Sequence, residues 1–223
     1  MSMKSKTIKL VFLGAGTAFF EVYEIIRRIN IINDKYEIIT ILDDNEELHG
    51  TFLNNIIISG PLQNATNYSD AKFIFGIGSM KNRLNRFEIF KKLNLKKSKF
   101  ETIIHPNCNI DPSVKIGCGC IIHPGVCIGN DVEIGSFVII AVNSAIGPFT
   151  KIKSFSMITS LVVVLSNVFI GESSFIGSSS CITEGVKIGK CSMVGVGTII
   201  TRSIPDGSFF LGNPARMLNK PKK

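Results

Sequence analysis

A six-residue repeat of isoleucine runs without a gap from residue 104 to residue 200. Its seventeen positions hold fifteen Ile and two Val, the latter at Val164 and Val194. A period of six matches neither the 3.6-residue period of an α-helix nor the two-residue period of a strand, and it is the signature of a β-helix. Each hexad therefore predicts one short side of a coil with the Ile in the interior, and three hexads close a triangular coil of about 18 residues.

Two other positions of the repeat hold small residues. The residue four places after each Ile, such as Cys120, Ser144 or Thr150, is expected beside the Ile in the interior. Glycine often follows the Ile directly, as at Gly117 and Gly135, and we expect it to allow the chain to turn at the corner. The composition agrees, since 45% hydrophobic residues, 20 Gly and no Trp favour a β-rich fold over a helical bundle.

The residues before the repeat follow another pattern. Apolar runs over 7–13, 36–44 and 71–79 predict parallel strands, with one helix after the first strand and another over 80–97. The apolar face expected for the second helix comprises Leu84, Phe87, Phe90 and Leu93. Strands that alternate with helices favour a small Rossmann-like α/β domain.

The predicted fold class is therefore an α/β Rossmann-like N-terminal domain followed by a parallel β-helix. The expected boundaries are residues 1–100 for the α/β domain, 101–205 for the β-helix and 206–223 for a C-terminal tail. No apolar run is long enough to span a bilayer, and Glu21 and Glu24 soon after the first apolar run argue against a signal peptide. A cytoplasmic location is expected.

The net charge of +8 has two interpretations. The clustered lysines between residues 91 and 99 are typical of a solvated helix face, and they could also attract nucleotide-sugar or CoA phosphates or an acidic membrane surface. Nucleic acid is not an expected partner, because neither an aromatic-basic stripe nor zinc-ligand spacing is present. The six cysteines form no CxxC pair and follow the repeat, so no metal site is expected.

The segment GAGTAF spans residues 14–19, between the first predicted strand and its helix. It carries two glycines of the GxGxxG phosphate-binding pattern and has Phe19 in place of the third. Backbone N–H groups at the start of a helix attract phosphate, so this turn is a candidate nucleotide site. A simple connection between strand and helix is the alternative.

The segment FLGNPARML occupies residues 210–218. Together with the α/β domain and the repeat, it makes nearly the whole chain resemble the bacterial sugar acyltransferases of the sialic acid O-acetyltransferase and UDP-amino-sugar N-acetyltransferase group. The resemblance implies a left-handed β-helix, a homotrimer and a nucleotide-sugar held mainly by the N-terminal domain. It also implies acetyl-CoA or another acyl-CoA bound along the cleft between neighbouring β-helices, without a metal.

The resemblance further implies two sets of binding residues. Those implied for the nucleotide-sugar are Gly14, Ala15, Gly16, Thr17, Asp43, Asp44, Gly76, Gly78 and Arg83. Those implied for the acyl-CoA are Met157, Ser166, Gly195, Arg202, Gly212, Pro214 and Arg216. The alternatives are that Arg83 is a helix surface residue and that the C-terminal residues cover the last coil.

The chain departs from the family pattern at the general base. The family has a His followed by an acid there, and this chain has Pro148 and Phe149, although Asn143 of the pattern is kept and Lys151 is nearby. The departures in this region are Ala141, Pro148, Phe149, Met157 and Ser166. His123 precedes Pro148 by one coil plus seven residues, so we expect it on a neighbouring face, out of reach within one subunit.

These features favour a CoA-dependent N-acyltransferase that acts on a nucleotide-linked amino sugar in surface glycan synthesis. A general base is worth roughly 10²–10⁴ in rate, whereas holding donor and acceptor together can contribute about 7–11 kcal/mol. A neutral amine needs no base, while a hydroxyl does, so the missing His favours an amino acceptor. The alternatives are a trimer that binds ligands without turnover, a changed acyl specificity, and a sugar O-acetyltransferase whose base comes from an adjacent subunit.

Overall fold

The structure, a computed structural model, describes residues 7–78 and 84–218 of the chain. It divides into two compact units, Met1–Pro106 and Asn107–Lys223. The first unit is α/β and the second is a parallel β-helix, so the predicted fold class is confirmed.

The described part of the N-terminal unit consists of a small sheet, a hairpin and helices. The strands are β1 (Ile8–Leu13), β2 (Tyr36–Leu42), β3 (Phe52–Leu53), β4 (Ile56–Ile57), β5 (Lys72–Phe75) and β6 (Ile103–Ile104). The α-helices are α1 (Thr17–Asn33) and α2 (Arg86–Leu93), and short 3₁₀ helices cover Glu46–Leu48, Leu62–Asn67 and Lys97–Lys99.

The sheet of this unit has the parallel order β2–β1–β5, with β1 in the centre. Strand β1 is buried from Leu10 to its last residue, Leu13, as expected for a strand covered on both faces. Helix α1 buries Phe19, Val22 and Ile26 of its apolar stripe. The three strands therefore end at one edge of the sheet, where the turns that follow them meet.

Helix α2 is shorter than predicted. The pattern over 80–97 predicted one continuous helix, but the described part of this segment is α-helical only at Arg86–Leu93. The helix ends because Asn94 adopts the left-handed conformation, with φ 50° and ψ 36°, and its N–H bonds to the Lys91 carbonyl.

The predicted apolar face of α2 is also partly wrong. Leu93 is buried, but Leu84 and Phe87 are exposed, and Arg86 is fully buried instead. The pattern assumed one helical register from residue 80 onward. A helix that begins at Arg86 leaves Leu84 in the preceding turn, outside the helical stripe.

The β-helix has one strand for every hexad. The two-residue strands after β6 are β7 (Asn109–Ile110), β8 (Lys115–Ile116), β9 (Ile121–Ile122), β10 (Cys127–Ile128), β11 (Glu133–Ile134), β12 (Ile139–Ile140), β13 (Ala145–Ile146), β14 (Lys151–Ile152), β15 (Met157–Ile158), β16 (Val163–Val164), β17 (Phe169–Ile170), β18 (Phe175–Ile176), β19 (Cys181–Ile182), β20 (Lys187–Ile188), β21 (Met193–Val194) and β22 (Ile199–Ile200). Each strand pairs in parallel with the strand one coil later, as Cys127 does with Ala145.

Three parallel sheets result, and they differ in the residues that face outward. Sheet I contains β7, β10, β13, β16, β19 and β22, and its outward residues are Asn109, Cys127, Ala145, Val163, Cys181 and Ile199. Sheet II contains β8, β11, β14, β17 and β20, and its outward residues are Lys115, Glu133, Lys151, Phe169 and Lys187. Sheet III contains β9, β12, β15, β18 and β21, and its outward residues are Ile121, Ile139, Met157, Phe175 and Met193. Sheet II is thus charged, whereas sheets I and III are mainly apolar.

The interior of the β-helix follows the hexads. The Ile and Val positions from Ile122 onward are buried, while Ile110 and Ile116 in the first coil are half-buried. Ser144 is buried as expected, and its hydroxyl donates to the Thr159 carbonyl at 2.8 Å, so the polar atom inside the helix is satisfied.

The glycines that follow the Ile positions have a different role from the one predicted. Neither Gly117 nor Gly135 has a positive φ, and the corner residue with positive φ comes two places later, as at Phe137 with φ 61°. A Cβ at Gly135 would lie 2.5 Å from the Ser154 backbone nitrogen. Glycine is needed here because the next coil packs directly against its backbone, not because the chain turns at this residue.

The C-terminal tail forms a hairpin on the last coil. Strand β23 (Phe209–Leu211) pairs in parallel with β21 of sheet III, and β24 (Arg216–Leu218) pairs antiparallel with β23. The tail thereby covers the end of sheet III, which is the capping role that a terminal β-helix segment needs. No helix among the described residues is long and apolar enough to cross a membrane.

Candidate functional site

The turns at the end of the α/β sheet enclose a cavity of about 320 Å³. It is lined by Gly14, Gly16, Thr17, Ala18, Glu21, Asp43, Gly76, Ile77 and Gly78. Open parallel sheets bind their ligands at this edge, outside the carboxyl ends of the strands. The predicted residues Ala15 and Asp44 do not line this cavity, and Arg83 lies outside the described residues.

Helix α1 begins at this cavity with its backbone donors uncapped. Its N-cap residue is Gly16, no side chain caps the helix, and its first turn contains no acidic residue. The first N–H groups of a helix lack intrahelical partners, and the helix dipole makes this end positive. The cavity therefore offers backbone donors to an anionic group such as a phosphate.

Of the four glycines that line the cavity, Gly14 and Gly76 are required by the fold, whereas Gly16 is not. Gly14 has φ 102°, and a Cβ at Gly76 would overlap the Phe12 ring, so the fold itself requires glycine at both positions. At Gly16, φ is −81° and no atom beyond the adjoining residues of the chain lies within 4 Å of the place a Cβ would take. The fold does not require glycine at Gly16, and its small size leaves room beside the helix start.

The two predicted acids, Asp43 and Asp44, line different cavities. Asp43 accepts the N–H of Ala15 at 2.6 Å with one oxygen and the N–H of Asn45 at 2.9 Å with the other, so it fixes the glycine turn. Asp44 accepts the N–H of Leu62 at 2.9 Å. It lines a second cavity, of about 410 Å³, with Leu62, Gln63, Ile89, Lys92 and Leu93.

Arg86 is a residue near the first cavity that the sequence did not single out. Its side chain is fully buried, its Nε donates to the Ile77 carbonyl at 2.8 Å, and its guanidinium lies 5.6 Å from the centre of the Phe75 ring. The periodicity over 80–97 placed Arg86 off the buried face, so no pattern in the sequence indicates its burial.

In the β-helix, the position that the resemblance assigns to a general base, Pro148, lies at the edge between sheets I and II. Pro148 is half-buried in the turn after β13, and Phe149 is 50% exposed with φ 60°. Ser166 follows at the same edge one coil later, where the N–H of Asn167 donates to the Pro148 carbonyl at 2.9 Å. His123 lies at a different edge, between sheets III and I. A proline ring can neither accept nor donate a proton, so Pro148 is no general base.

The other predicted residues of this region are spread around the β-helix. Asn143 lies exposed at the edge between sheets III and I. Lys151 lies on sheet II and pairs with Glu133 at 3.2 Å. Met157 lies on sheet III and is only 6% exposed. Within one chain, Asn143, Lys151 and Met157 therefore lie on different faces and edges of the β-helix.

A third cavity, of about 280 Å³, lies between the last coil and the C-terminal hairpin. It is lined by Ile199, Ile200, Thr201, Arg202, Ile204, Phe210, Asn213, Pro214 and Ala215. It brings together Arg202 and Pro214 of the predicted acyl-CoA residues. Gly195 is buried, Gly212 lies in the hairpin turn with φ 96°, and Arg216 is exposed on β24.

Large apolar side chains are exposed on and beside sheet I. This apolar patch comprises Phe149, Leu161, Val163, Leu165 and Val196, each at least 41% exposed. Such exposed apolar surfaces mark places where another molecule binds. In contrast, no group of three or more His, Cys, Asp or Glu residues within the described ranges is arranged to hold a metal.

Comparison with known proteins supports the resemblance drawn from the sequence. Residues 9–90 match the family of PglD N-terminal domains. No curated protein sequence matches the chain. The resemblance to the PglD-like group of sugar acyltransferases is confirmed by this match together with solved structures of similar fold.

Three of these structures match almost the whole chain. Their similarity in fold supports a left-handed winding of the β-helix. The acetyltransferase domain of PglB from Neisseria gonorrhoeae FA1090 is 26% identical with a TM-score of 0.82, covering 94% of this chain and 99% of that one. A histidine-to-asparagine variant of perosamine N-acetyltransferase from Caulobacter crescentus, in complex with CoA and GDP-perosamine, is 22% identical with a TM-score of 0.83, covering 95% and 97%. WeeI from Acinetobacter baumannii AYE is 23% identical with a TM-score of 0.78, covering 96% and 100%.

Proposed function

Because the chain joins a PglD-type N-terminal domain to a left-handed β-helix, and so belongs with the PglD-like proteins, we propose that it transfers an acyl group from CoA to an amino group of a nucleotide-linked sugar. The observation that carries the proposal is the cavity at the uncapped start of α1, in the domain that matches the family. Its volume of about 320 Å³ suits a diphosphate with part of a sugar or nucleoside.

The chemistry we propose needs no protein base. The neutral amine nitrogen attacks the thioester carbonyl, the new C–N bond forms, the C–S bond breaks, and the CoA thiolate takes up the proton that nitrogen releases. Pro148 cannot assist this proton transfer, and a neutral amine does not require assistance before it attacks. Binding both substrates in one place supplies the larger share of the rate, about 7–11 kcal/mol.

We further propose a homotrimer in which the apolar patch packs against a neighbouring copy. Val163 and Leu161 are exposed on an otherwise regular surface, and burial against a second chain would remove this area from water. Because Pro148, Asn143 and Met157 lie on different sides of one β-helix, a site that includes all three requires neighbouring copies. The acyl-CoA would lie in the cleft between them, with its phosphates towards Arg202.

A second candidate is a homologue that binds both ligands without turnover. Pro148 and Phe149 favour it, because they replace the two residues that the resemblance implies as base and acid partner.

A changed acyl specificity is a separate alternative. The exposed Phe149 and Leu165 suit an acyl chain longer than acetyl, which would show as turnover only with longer acyl-CoA donors.

Release of free thiol from acetyl-CoA, with a panel of UDP-, dTDP- and GDP-linked amino sugars, tests the proposal. Turnover with one of the amines supports it. Calorimetric binding of both ligands, without thiol release from acetyl-, propionyl- or butyryl-CoA, would instead favour the second candidate.

A further inference from the structure

A buried positive charge lies directly behind one wall of the first cavity. The Arg86 side chain has 0% exposure, so its guanidinium cannot touch a ligand in the cavity. Its Nε donates to the Ile77 carbonyl at 2.8 Å, and Ile77 and Gly78 both line the cavity. Arg86 can therefore affect a bound ligand only through the peptide that it holds and through its charge.

The bond to Ile77 fixes the direction of a backbone donor. The peptide between Ile77 and Gly78 is trans, so its N–H points to the side opposite its carbonyl, away from Arg86. No hydrogen bond from this Gly78 N–H is formed within residues 7–78 and 84–218. A guanidinium on the carbonyl side also polarises the peptide and strengthens its N–H as a donor.

The position of this donor is held from a second direction. The guanidinium lies 5.6 Å from the centre of the buried Phe75 ring, at the end of β5. The N–H of Gly76 donates to the Leu13 carbonyl at 3.0 Å, which ties the turn after β5 to the end of β1. The glycine turn after β5 and the uncapped start of α1 thus line the same cavity.

We infer that Arg86 is a positioning residue for a diphosphate, holding the Ile77–Gly78 peptide so that it donates to the same anion as the start of α1. The inference rests on the proposed function, since it assumes that the cavity takes the diphosphate of a nucleotide-sugar. A charge buried at this place is costly by itself, and the two negative charges of a diphosphate nearby offset that cost.

Calorimetric titration of UDP, dTDP and GDP tests the inference, with the tightest of the three used for the variants. Arg86→Met keeps the length of the side chain and removes both charge and donor, so we expect at least tenfold weaker diphosphate binding. Arg86→Lys keeps the charge and can reach the Ile77 carbonyl, so we expect a loss of only about threefold. Arg27→Met, at an exposed arginine of α1, is the matched control and should bind as the wild type does.

A second ligand separates a local effect from general damage. CoA binding should be the same in Arg86→Met and the wild type, and the corresponding nucleoside monophosphate should lose less affinity than the diphosphate. Wild-type affinity for the diphosphate in a folded Arg86→Met variant would overturn the inference alone. Failure of the wild type to bind any of the three diphosphates would overturn the nucleotide site as well. If Arg86→Met does not fold, Arg86→Lys decides: a threefold loss with unchanged CoA binding supports the inference, and no loss refutes it.

Discussion

Gly16 and Gly76 line the same cavity, but their substitution should have opposite effects. Gly16→Ala adds a Cβ in open space at an ordinary φ, so the free energy of unfolding should change by less than about 0.5 kcal/mol. The methyl group would occupy the space where we place a phosphate, so diphosphate affinity should fall at least tenfold. Calorimetry for binding and urea denaturation for stability would measure the two effects.

Gly76→Ala is the counterpart of this experiment. Its Cβ would overlap the Phe12 ring in the core, so this variant should lose about 1–3 kcal/mol of stability. A Gly16→Ala variant that binds diphosphate as tightly as the wild type would contradict the position of the phosphate at the start of α1.

His105 should make stability depend on pH. Burial, with a further effect of the nearby Arg28 guanidinium, lowers the pKa of His105, while Glu24 opposes this. A lowered folded pKa means that the protonated form opposes folding, so the contribution is fully present above the unfolded pKa of about 6.5 and is lost as pH falls below it. His105→Asn should therefore lose less stability than the wild type between pH 7 and pH 5 in urea denaturation. Equal losses in the two proteins would count against the burial of a neutral imidazole.

At the scale of elements, the close stacking of coils explains the glycine of the hexad. Gly135→Ala would place a Cβ 2.5 Å from the Ser154 nitrogen, and the backbone of two coils would have to separate. We expect a loss of about 1–3 kcal/mol, measured by denaturant unfolding. Ala145→Gly on outward-facing β13 is a suitable control, because it changes one methyl group without crowding and should cost at most about 1 kcal/mol. If Gly135→Ala and Ala145→Gly lowered the stability equally, close packing of Gly135 against Ser154 would not be what requires glycine at this position.

These elements show which parts of the fold could be predicted from the sequence. The hexads predicted all strands of the β-helix, because a side chain that must fill a narrow interior recurs at a fixed interval. The function of glycine in the repeat was not predictable from its frequency, since close packing and positive φ both select glycine. Helix α2 was mispredicted because the apolar spacing from Leu84 to Leu93 carries no information about where the helix begins.

The residues of the first cavity were also only partly predictable from the sequence. The glycine turn at Gly14 and Gly16 could be predicted, because a strand, a turn and a helix adjoin in the sequence. The burial of Arg86 could not, because it depends on the bond to the Ile77 carbonyl in the turn after β5, which the helical periodicity does not encode. The division of Asp43 and Asp44 between two cavities depends on the different backbone N–H groups that they accept, and adjacent identical residues give no sign of it.

At the scale of the molecule, the chemical difference between sheets predicts which surface joins the copies. Val163→Asp places a charge in the centre of the apolar patch, where burial against a neighbour would leave it unpaired. We expect light scattering to show a trimer for the wild type and mainly monomer for the variant. Phe169→Asp changes an outward residue at the matching position on the charged sheet II, and it should remain trimeric. A Val163→Asp protein that stays trimeric would exclude sheet I as the contact.

The central claim is that this chain acylates an amine without the general base of its relatives. The most direct measurement is mass-spectrometric analysis of the products formed from acetyl-CoA and two nucleotide-sugars that differ only by an amine or a hydroxyl at the acceptor carbon. We predict an increase of one acetyl group on the amino sugar and none on the hydroxyl sugar, because only the neutral amine attacks the thioester without a base. Acetylation of the hydroxyl sugar at a comparable rate would contradict the claim, since it would require a base that Pro148 cannot provide.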